Sequence, residues 1–241
     1  MKVASIVPAA GKGTRIKSSI EKPYIKINGR PILAWTLLSL SQNSSIKEII
    51  VAVNKNKMRE AQHNIINKYA IKKARLVVGG KERKDSVARA LKDVSPDIEY
   101  VLIHDGSRPF IDNGLINNSL MAARKSGAAV VAVPVKPTLK IVGKNKHIKS
   151  TPDRKDFWEA QTPQVFKKEL IEKAYSGMAK KIATDDSMLV EAMGIRPVIV
   201  MGSYRNIKIT TGEDLELGEI LIKKNPKHEI RNSKQIRNSK F

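Results

Sequence analysis

Short runs of β-branched and aliphatic residues alternate with amphipathic stretches of helical length along most of the chain, and that alternation restricts the fold more than any other feature. Runs at 3–7, 48–53, 75–78, 100–103, 128–133, 198–201 and 206–209 have the length and composition of buried strands. Between and after them, 32–40, 56–69, 82–92, 113–125, 167–180, 185–193 and 213–223 read as helices. A helix between two strands returns the chain across the sheet, so the strands it joins pair in parallel. The expected fold class is therefore α/β, a mostly parallel sheet flanked by helices. Pro31 is placed to open the helix at 32–40, because a first turn has no use for the missing N–H.

The stretch 136–162 breaks the rhythm. It carries Pro137 and Pro152, runs up to Pro163 and has little helical periodicity. Two short alternating pieces, 138–142 and 147–151, flank a turn at 143–145, which predicts a projecting β-hairpin arm. Such an arm has too little apolar content to fold alone. It either packs on a second copy of the chain or forms a surface excursion.

The 241 residues include 45 Lys plus Arg against 23 Asp plus Glu, a formal net charge of +22. Seven cations and one Glu lie in 223–241, where EIRNSK is followed directly by QIRNSK. This segment has no core-forming pattern and is expected to be a basic, disordered tail. With no cysteine, disulfides, thiolate zinc sites and a Cys nucleophile are excluded. The apolar stretch of the N-terminal MKVASIVPAAGKG is too short for a signal peptide, and no run is long enough for a membrane helix. A soluble, cytoplasmic protein with no membrane partner is expected. The charge suggests nucleic acid or phosphorylated small molecules. Aromatic residues are only 5%, and no helix-turn-helix, zinc-finger or aromatic RNA-binding motif occurs, which disfavours nucleic acid.

The first strand runs into Pro8, Ala9, Ala10, Gly11, Lys12, Gly13, Thr14 and Arg15, a small-residue turn whose backbone N–H groups can close around phosphates. A dinucleotide fingerprint would need Gly where Ile16 stands, and a P-loop would need Ser or Thr where Gly13 stands. Neither motif fits. Arg15 and Lys22, seven residues apart, add two cations that an ordinary strand-to-helix turn does not need. Gly79 and Gly80 end a strand before a helix carrying Ser86, and so allow a close backbone approach to a ligand. Asp105 follows the strand at 100–103, at the carboxyl edge where open α/β sheets bind ligands, and offers a hard oxygen suited to Mg²⁺. His104 reads as a packed strand-end residue.

AAGKGTR followed by a lysine before Pro-Tyr resembles the sugar-phosphate nucleotidyltransferases. Six further segments narrow the resemblance to the 2-C-methyl-D-erythritol 4-phosphate cytidylyltransferase family, with its Rossmann-like fold. They are VVGGKERKDSV (77–87), VLIHDGSRPF (101–110), AVPVKPTLK (132–140), DRKDFWEAQTPQVF (153–166), ATDD (183–186) and NIKIT (206–210). The resemblance covers 1–222, arm included, and leaves the tail without a counterpart. It implies transfer of CMP from CTP to 2-C-methyl-D-erythritol 4-phosphate in the non-mevalonate isoprenoid pathway, with a divalent cation such as Mg²⁺ on Asp105. It assigns catalysis to Arg15, Lys22, Arg154 and Lys208. CTP would be held by the loop from Pro8 to Gly13 with Gly80 and Ser86, and the sugar phosphate by Asp105, Arg108, Thr138, Arg154, Thr162 and Thr184. It further implies a homodimer in which arm residues enter the partner's site. Ser107 stands where the family more often has Ala, and Pro23 where it has Gln. Ribitol 5-phosphate remains a rival acceptor on the same scaffold.

Overall fold

The computed structural model describes residues 1–11, 21–178 and 183–224. Seven strands form one sheet: β1 (Val3–Pro8), β4 (Ile46–Val53), β5 (Ala74–Val78), β6 (Tyr100–Ile103), β7 (Ala128–Pro134), β10 (Trp158–Lys167) and β11 (Val198–Met201). Their spatial order is β11-β7-β10-β6-β1-β4-β5. β1 pairs in parallel with β4 and β6, β4 with β5, and β7 with β11, whereas β10 is antiparallel to both of its neighbours. The sheet is thus mostly parallel, as the alternation predicts.

Successive strand residues face opposite sides, so the sheet carries two cores. On one side Val7, Ile49, Val51, Leu102 and Val165 pack with α1 (Ile32–Ser41), the segment around α2 (Met58–Ala61) and α4 (Asn113–Ser126). On the other, Ala4, Ile6, Ile50, Ile103 and Phe166 meet α3 (Arg83–Leu91), α5 (Lys168–Met178) and α6 (Ser187–Glu191). Covering both faces is what a parallel sheet of near-continuous apolar strands requires. A smaller core joins α7 (Gly212–Lys223) to a short hairpin, β2 (Lys26–Ile27) and β3 (Arg30–Pro31), through Ile27, Ile32, Trp35, Ile209 and Ile222. Among the described residues, no helix is long and apolar enough to cross a membrane.

Four expectations change. Pro31 ends β3 and caps α1 rather than occupying its first turn. The helix expected at 56–69 is a composite of a 3-10 turn (Lys55–Lys57), α2 and a π-helical turn (Gln62–Asn67). The strand expected at 206–209 is irregular chain, held by single bonds and not by a ladder: Asn206 Nδ2 donates to the Thr162 carbonyl of β10 at 2.8 Å and the Ile209 N–H to the Ser107 carbonyl at 2.9 Å. Finally, the stretch 136–162 divides. Its middle is a hairpin of β8 (Ile141–Val142) and β9 (Ile148–Ser150), but from Trp158 onward it joins the main sheet as β10. The two prolines before β10 and Pro163 within it hide that strand's pattern, and an irregularity between Ala160 and Gln164 interrupts its pairing. The tail from residue 225 onward lies outside the described residues.

Candidate active site

The carboxyl ends of β1, β5 and β6 converge on one cavity. It is lined by Pro8, Ala9, Ala10 and Gly11 from the first loop, Lys22 and Pro23 from a 3-10 turn, Gly80 to Arg83 and Ser86 around the start of α3, Asp105 to Ser107 beyond β6, and Lys208. The loops approach each other closely because two positions lack side chains. A Cβ on Gly79 would lie 2.4 Å from Ala10 Cβ, and one on Gly80 would lie 2.2 Å from Asp85 Cβ. Any other residue would force the walls apart. Ser86 is locked beneath this wall: its Oγ accepts from the Gly80 N–H at 3.0 Å and donates to the Glu82 carbonyl at 3.1 Å.

Asp105 is the electrostatic centre. Arg83 Nε lies 2.9 Å from its Oδ1, Lys208 Nζ 2.8 Å from its Oδ2 and Arg108 Nε 3.7 Å from Oδ2. Burial would raise the carboxyl pKa, but the charges of Arg83, Lys208 and Arg108 outweigh it and hold the group well below the carboxylate range. Arg83 also reaches Asp186, with Nη2 at 2.8 Å from Oδ2, and the Tyr175 hydroxyl donates to Asp186 Oδ1 at 2.5 Å. Burial works against the Arg83 charge, yet Asp186 and Asp105 raise its pKa. Arg108 is buried, donates from Nη1 to the Asn206 carbonyl at 2.7 Å, and has its pKa lowered by burial. Three guanidinium or ammonium groups thus face two carboxylates, leaving a positive excess suited to polyphosphate.

A hydrogen-bond chain fixes the backbone at this point. The Asp105 N–H donates to Thr162 Oγ1 at 3.0 Å, Thr162 Oγ1 lies 3.1 Å from His104 Nδ1, and His104 Nε2 lies 3.0 Å from the Arg108 carbonyl. A carbonyl can only accept, so Nε2 carries the imidazole proton and the Thr162 hydroxyl donates to Nδ1. Burial pushes His104 down to about 4, keeping the ring neutral.

Asp105 is the residue that could hold a divalent cation, through one carboxylate. Its Oδ1 is taken by Arg83, and its Oδ2 faces Lys208, whose side chain is 34% exposed, and Arg108 at 3.7 Å. Sites that bind a metal together with substrate phosphates commonly use so few carboxylates. Among the described residues, no cluster of three or more His, Asp or Glu side chains could hold a metal without phosphate oxygens.

The structure therefore brings together Pro8, Ala9, Ala10, Gly11, Lys22, Gly80, Ser86, Asp105 and Lys208, with Thr162 and Arg108 buried directly behind. Lys12, Gly13 and Arg15 lie outside the described residues. Thr138 and Arg154 are exposed, away from the cavity lining, and an Arg154 Nη1 bond to the Lys136 carbonyl holds the base of the hairpin. Thr184 is exposed beside Met188, its Oγ1 3.1 Å from the Met188 sulfur, and lines a separate depression with Asp185 and Ser187. Sequence reasoning missed Arg83, Asp186 and Tyr175. Arg83 stood in plain view in the first turn after Gly79-Gly80, but its two carboxylate partners are distant in sequence.

Backbone-lined loops and a cationic cluster at the carboxyl edge of a mostly parallel sheet define a nucleotide-phosphate-binding α/β protein. A sequence profile of the 2-C-methyl-D-erythritol 4-phosphate cytidylyltransferases matches residues 3–224. The enzyme of that name from Clostridioides difficile strain 630 is 43% identical over 233 residues, 96% of this chain and 98% of the relative. The one from Syntrophus aciditrophicus is 46% identical over 226 residues, covering 92% and 97%. Among solved structures, the 4-diphosphocytidyl-2C-methyl-D-erythritol synthase of Anaerococcus prevotii superposes with a TM-score of 0.81 at 35% identity, covering 92% of this chain and 96% of that one. The Thermus thermophilus 2-C-methyl-D-erythritol 4-phosphate cytidylyltransferase gives 0.78 at 33% identity, covering 92% and 100%. The chain belongs to the 2-C-methyl-D-erythritol 4-phosphate cytidylyltransferase family, and is a nucleotidyltransferase.

Proposed function

We propose that this chain transfers CMP from CTP to 2-C-methyl-D-erythritol 4-phosphate, producing 4-diphosphocytidyl-2-C-methyl-D-erythritol and pyrophosphate for isoprenoid precursor synthesis. The observation that carries it is the cavity itself, where Lys22, Lys208 and the Gly80 and Ser86 wall surround Asp105 in a chain matching the family over nearly its whole length. A phosphate monoester oxygen attacks the α-phosphorus of CTP, the bond to the bridging β-phosphate oxygen breaks, and pyrophosphate leaves. With a second pKa of about 6, the attacking phosphate is already largely ionised near neutral pH, so the chain needs no general base. This accords with a neutral, buried His104. The protein's contribution is to hold two repelling polyanions in line and to balance charge at the α-phosphorus.

In this reading Arg15 and Lys22 stabilise the transition state and Lys208 shifts from Asp105 to the reacting phosphates. The loop from Pro8 to Gly13 wraps the triphosphate, while Gly80 and Ser86 hold the cytidine. Asp105 would hold Mg²⁺ or a similar ion, which supplies screening of triphosphate charge. Thr162 and Arg108 back the sugar-phosphate side from within, and Thr184 would serve it from the separate depression that it lines. Thr138 and Arg154 serve a neighbouring subunit: the arm and the adjacent sheet edge expose Ile141, Val142, Ile148, Phe157, Trp158 and Met201, a surface suited to homodimer formation. In this reading the enzyme works in the cytoplasm.

The deciding experiment incubates the chain with CTP, Mg²⁺ and either methylerythritol phosphate or ribitol 5-phosphate and identifies the product. Cytidylylated methylerythritol is expected; a preference for ribitol phosphate overturns the acceptor, and no pyrophosphate release with either overturns the reaction. Light scattering of the full chain should give a dimer, and replacing residues 138–152 by a short linker should give a monomer with little activity.

A further inference from the structure

We infer that Arg83 is a positioning residue for the transfer reaction, a clamp that sets the Asp105 carboxylate and the segment bearing Thr184 in one fixed relation. The guanidinium puts two different nitrogens on two carboxylates from two different loops: Nε at 2.9 Å from Asp105 Oδ1 and Nη2 at 2.8 Å from Asp186 Oδ2. Asp105 follows β6 on the nucleotide side, whereas Asp186 lies two residues beyond Thr184 and directly before α6. Asp186 is almost wholly buried and is gripped from behind by the Tyr175 hydroxyl of α5 at 2.5 Å. The clamp is therefore rigid at its far end.

The consequence falls on Oδ2 of Asp105. Because Arg83 holds Oδ1, the other oxygen is turned to Lys208 at 2.8 Å, at the cavity that Lys22 also lines. The planar fork meets the two carboxylates with two separate nitrogens in a fixed geometry; a lysine ammonium preserves the charge and has three donors, but they sit on one nitrogen at the end of a flexible stem and do not set the two carboxylates in that relation. A misplacement of about 1 Å at reacting groups can cost on the order of 10²-fold in rate. Arg83 thus acts through Asp105 and the segment before α6.

This role rests on the cytidylyl transfer proposed above, and the two fail differently. A wild-type chain that makes no cytidylylated product overturns the reaction; an active wild type with an equally active Arg83→Lys overturns the clamp. Steady-state kinetics with CTP and methylerythritol phosphate varied separately should show Arg83→Lys losing about 10²-fold in kcat, with KM for CTP within about threefold. A loss expressed instead as a large rise in KM for CTP makes Arg83 a simple triphosphate ligand and refutes the clamp. Tyr175→Phe loosens the far end without touching the cavity lining, and decides the matter should Arg83→Lys fail to fold. It should lower kcat several-fold with KM for CTP nearly unchanged, and lower the melting temperature modestly for the carboxylate oxygen it leaves unpaired; a wild-type kcat refutes the clamp. In the double variant Arg83→Lys with Asp186→Asn, the second change should add no further loss, and an additive loss refutes the coupling.

Discussion

The neutral His104 makes the acid stability of this protein predictable. Its ring is wholly buried, with Nε2–H committed to the Arg108 carbonyl and Nδ1 to the Thr162 hydroxyl. Burial lowers its pKa from 6.5 to about 4. The unfolded chain therefore binds a proton in a range where the folded one does not, and stability rises with pH between those two values. The His104 contribution is complete above pH about 6.5, falls by about 2.5 kcal/mol on reaching pH 4.5, and levels off near 3 kcal/mol of loss below pH 4. Carboxylates such as Glu48 and Asp214, whose pKa values are lowered in the fold, also lose stability on acidification, so a comparison is needed. His104→Gln keeps an N–H donor for Arg108 and cannot titrate. At pH 7 it should cost about 1–2 kcal/mol for the acceptor lost to Thr162. Urea unfolding at pH 7 and 4.5 should show the wild type losing about 2 kcal/mol more than the variant over that interval. Equal losses would mean that His104 is charged or solvated in the folded protein, and the proton assignment through Thr162 would be wrong.

Lys22→Ala should lower kcat by roughly 10² to 10³ with little change in melting temperature, measured by pyrophosphate release; near-normal turnover would remove Lys22 from the transition state. Gly79→Ala places a methyl 2.4 Å from Ala10 Cβ, and should lower stability by about 1–3 kcal/mol and raise KM for CTP, checked by calorimetry and kinetics. Asp105→Ala strips the counter-ion from Arg83, Arg108 and Lys208, and should abolish turnover and destabilise the fold by about 3 kcal/mol in urea titration.

Local pattern made the parallel half of the sheet readable, because β1, β4, β5 and β6 are apolar runs bounded by breakers. It also made the loops at their ends readable, since glycines and a strand-end aspartate mark those positions directly. β10 escaped because prolines and polar residues interrupt it, and its strand character comes from pairing on both sides. The 206–209 run misled in the opposite sense: Ile207 and Ile209 are apolar enough for a strand, but Asn206 ties the segment to β10. Arg83, Asp186 and Tyr175 form a group that exists only in three dimensions. No spacing rule connects residues whose partners lie on separate loops, so the charge pattern of 77–87 could show a cation without showing what it holds.

The antiparallel β10 has a consequence for how the chain is made. β1, β4, β5 and β6 can assemble once residue 103 has left the ribosome, but β7, complete at 134, has no seat beside them. Its place is defined by β10, which is finished at residue 167 and is the only strand that touches both β6 and β7 among the described residues. During synthesis, therefore, the apolar strand β7 waits for more than thirty further residues with both edges unsatisfied, at about 5–20 residues per second. The vulnerable interval in the life of this protein begins with that wait, when β7 is open to pairing with a neighbouring nascent chain; β10 closes one edge and β11, complete at residue 201, closes the other.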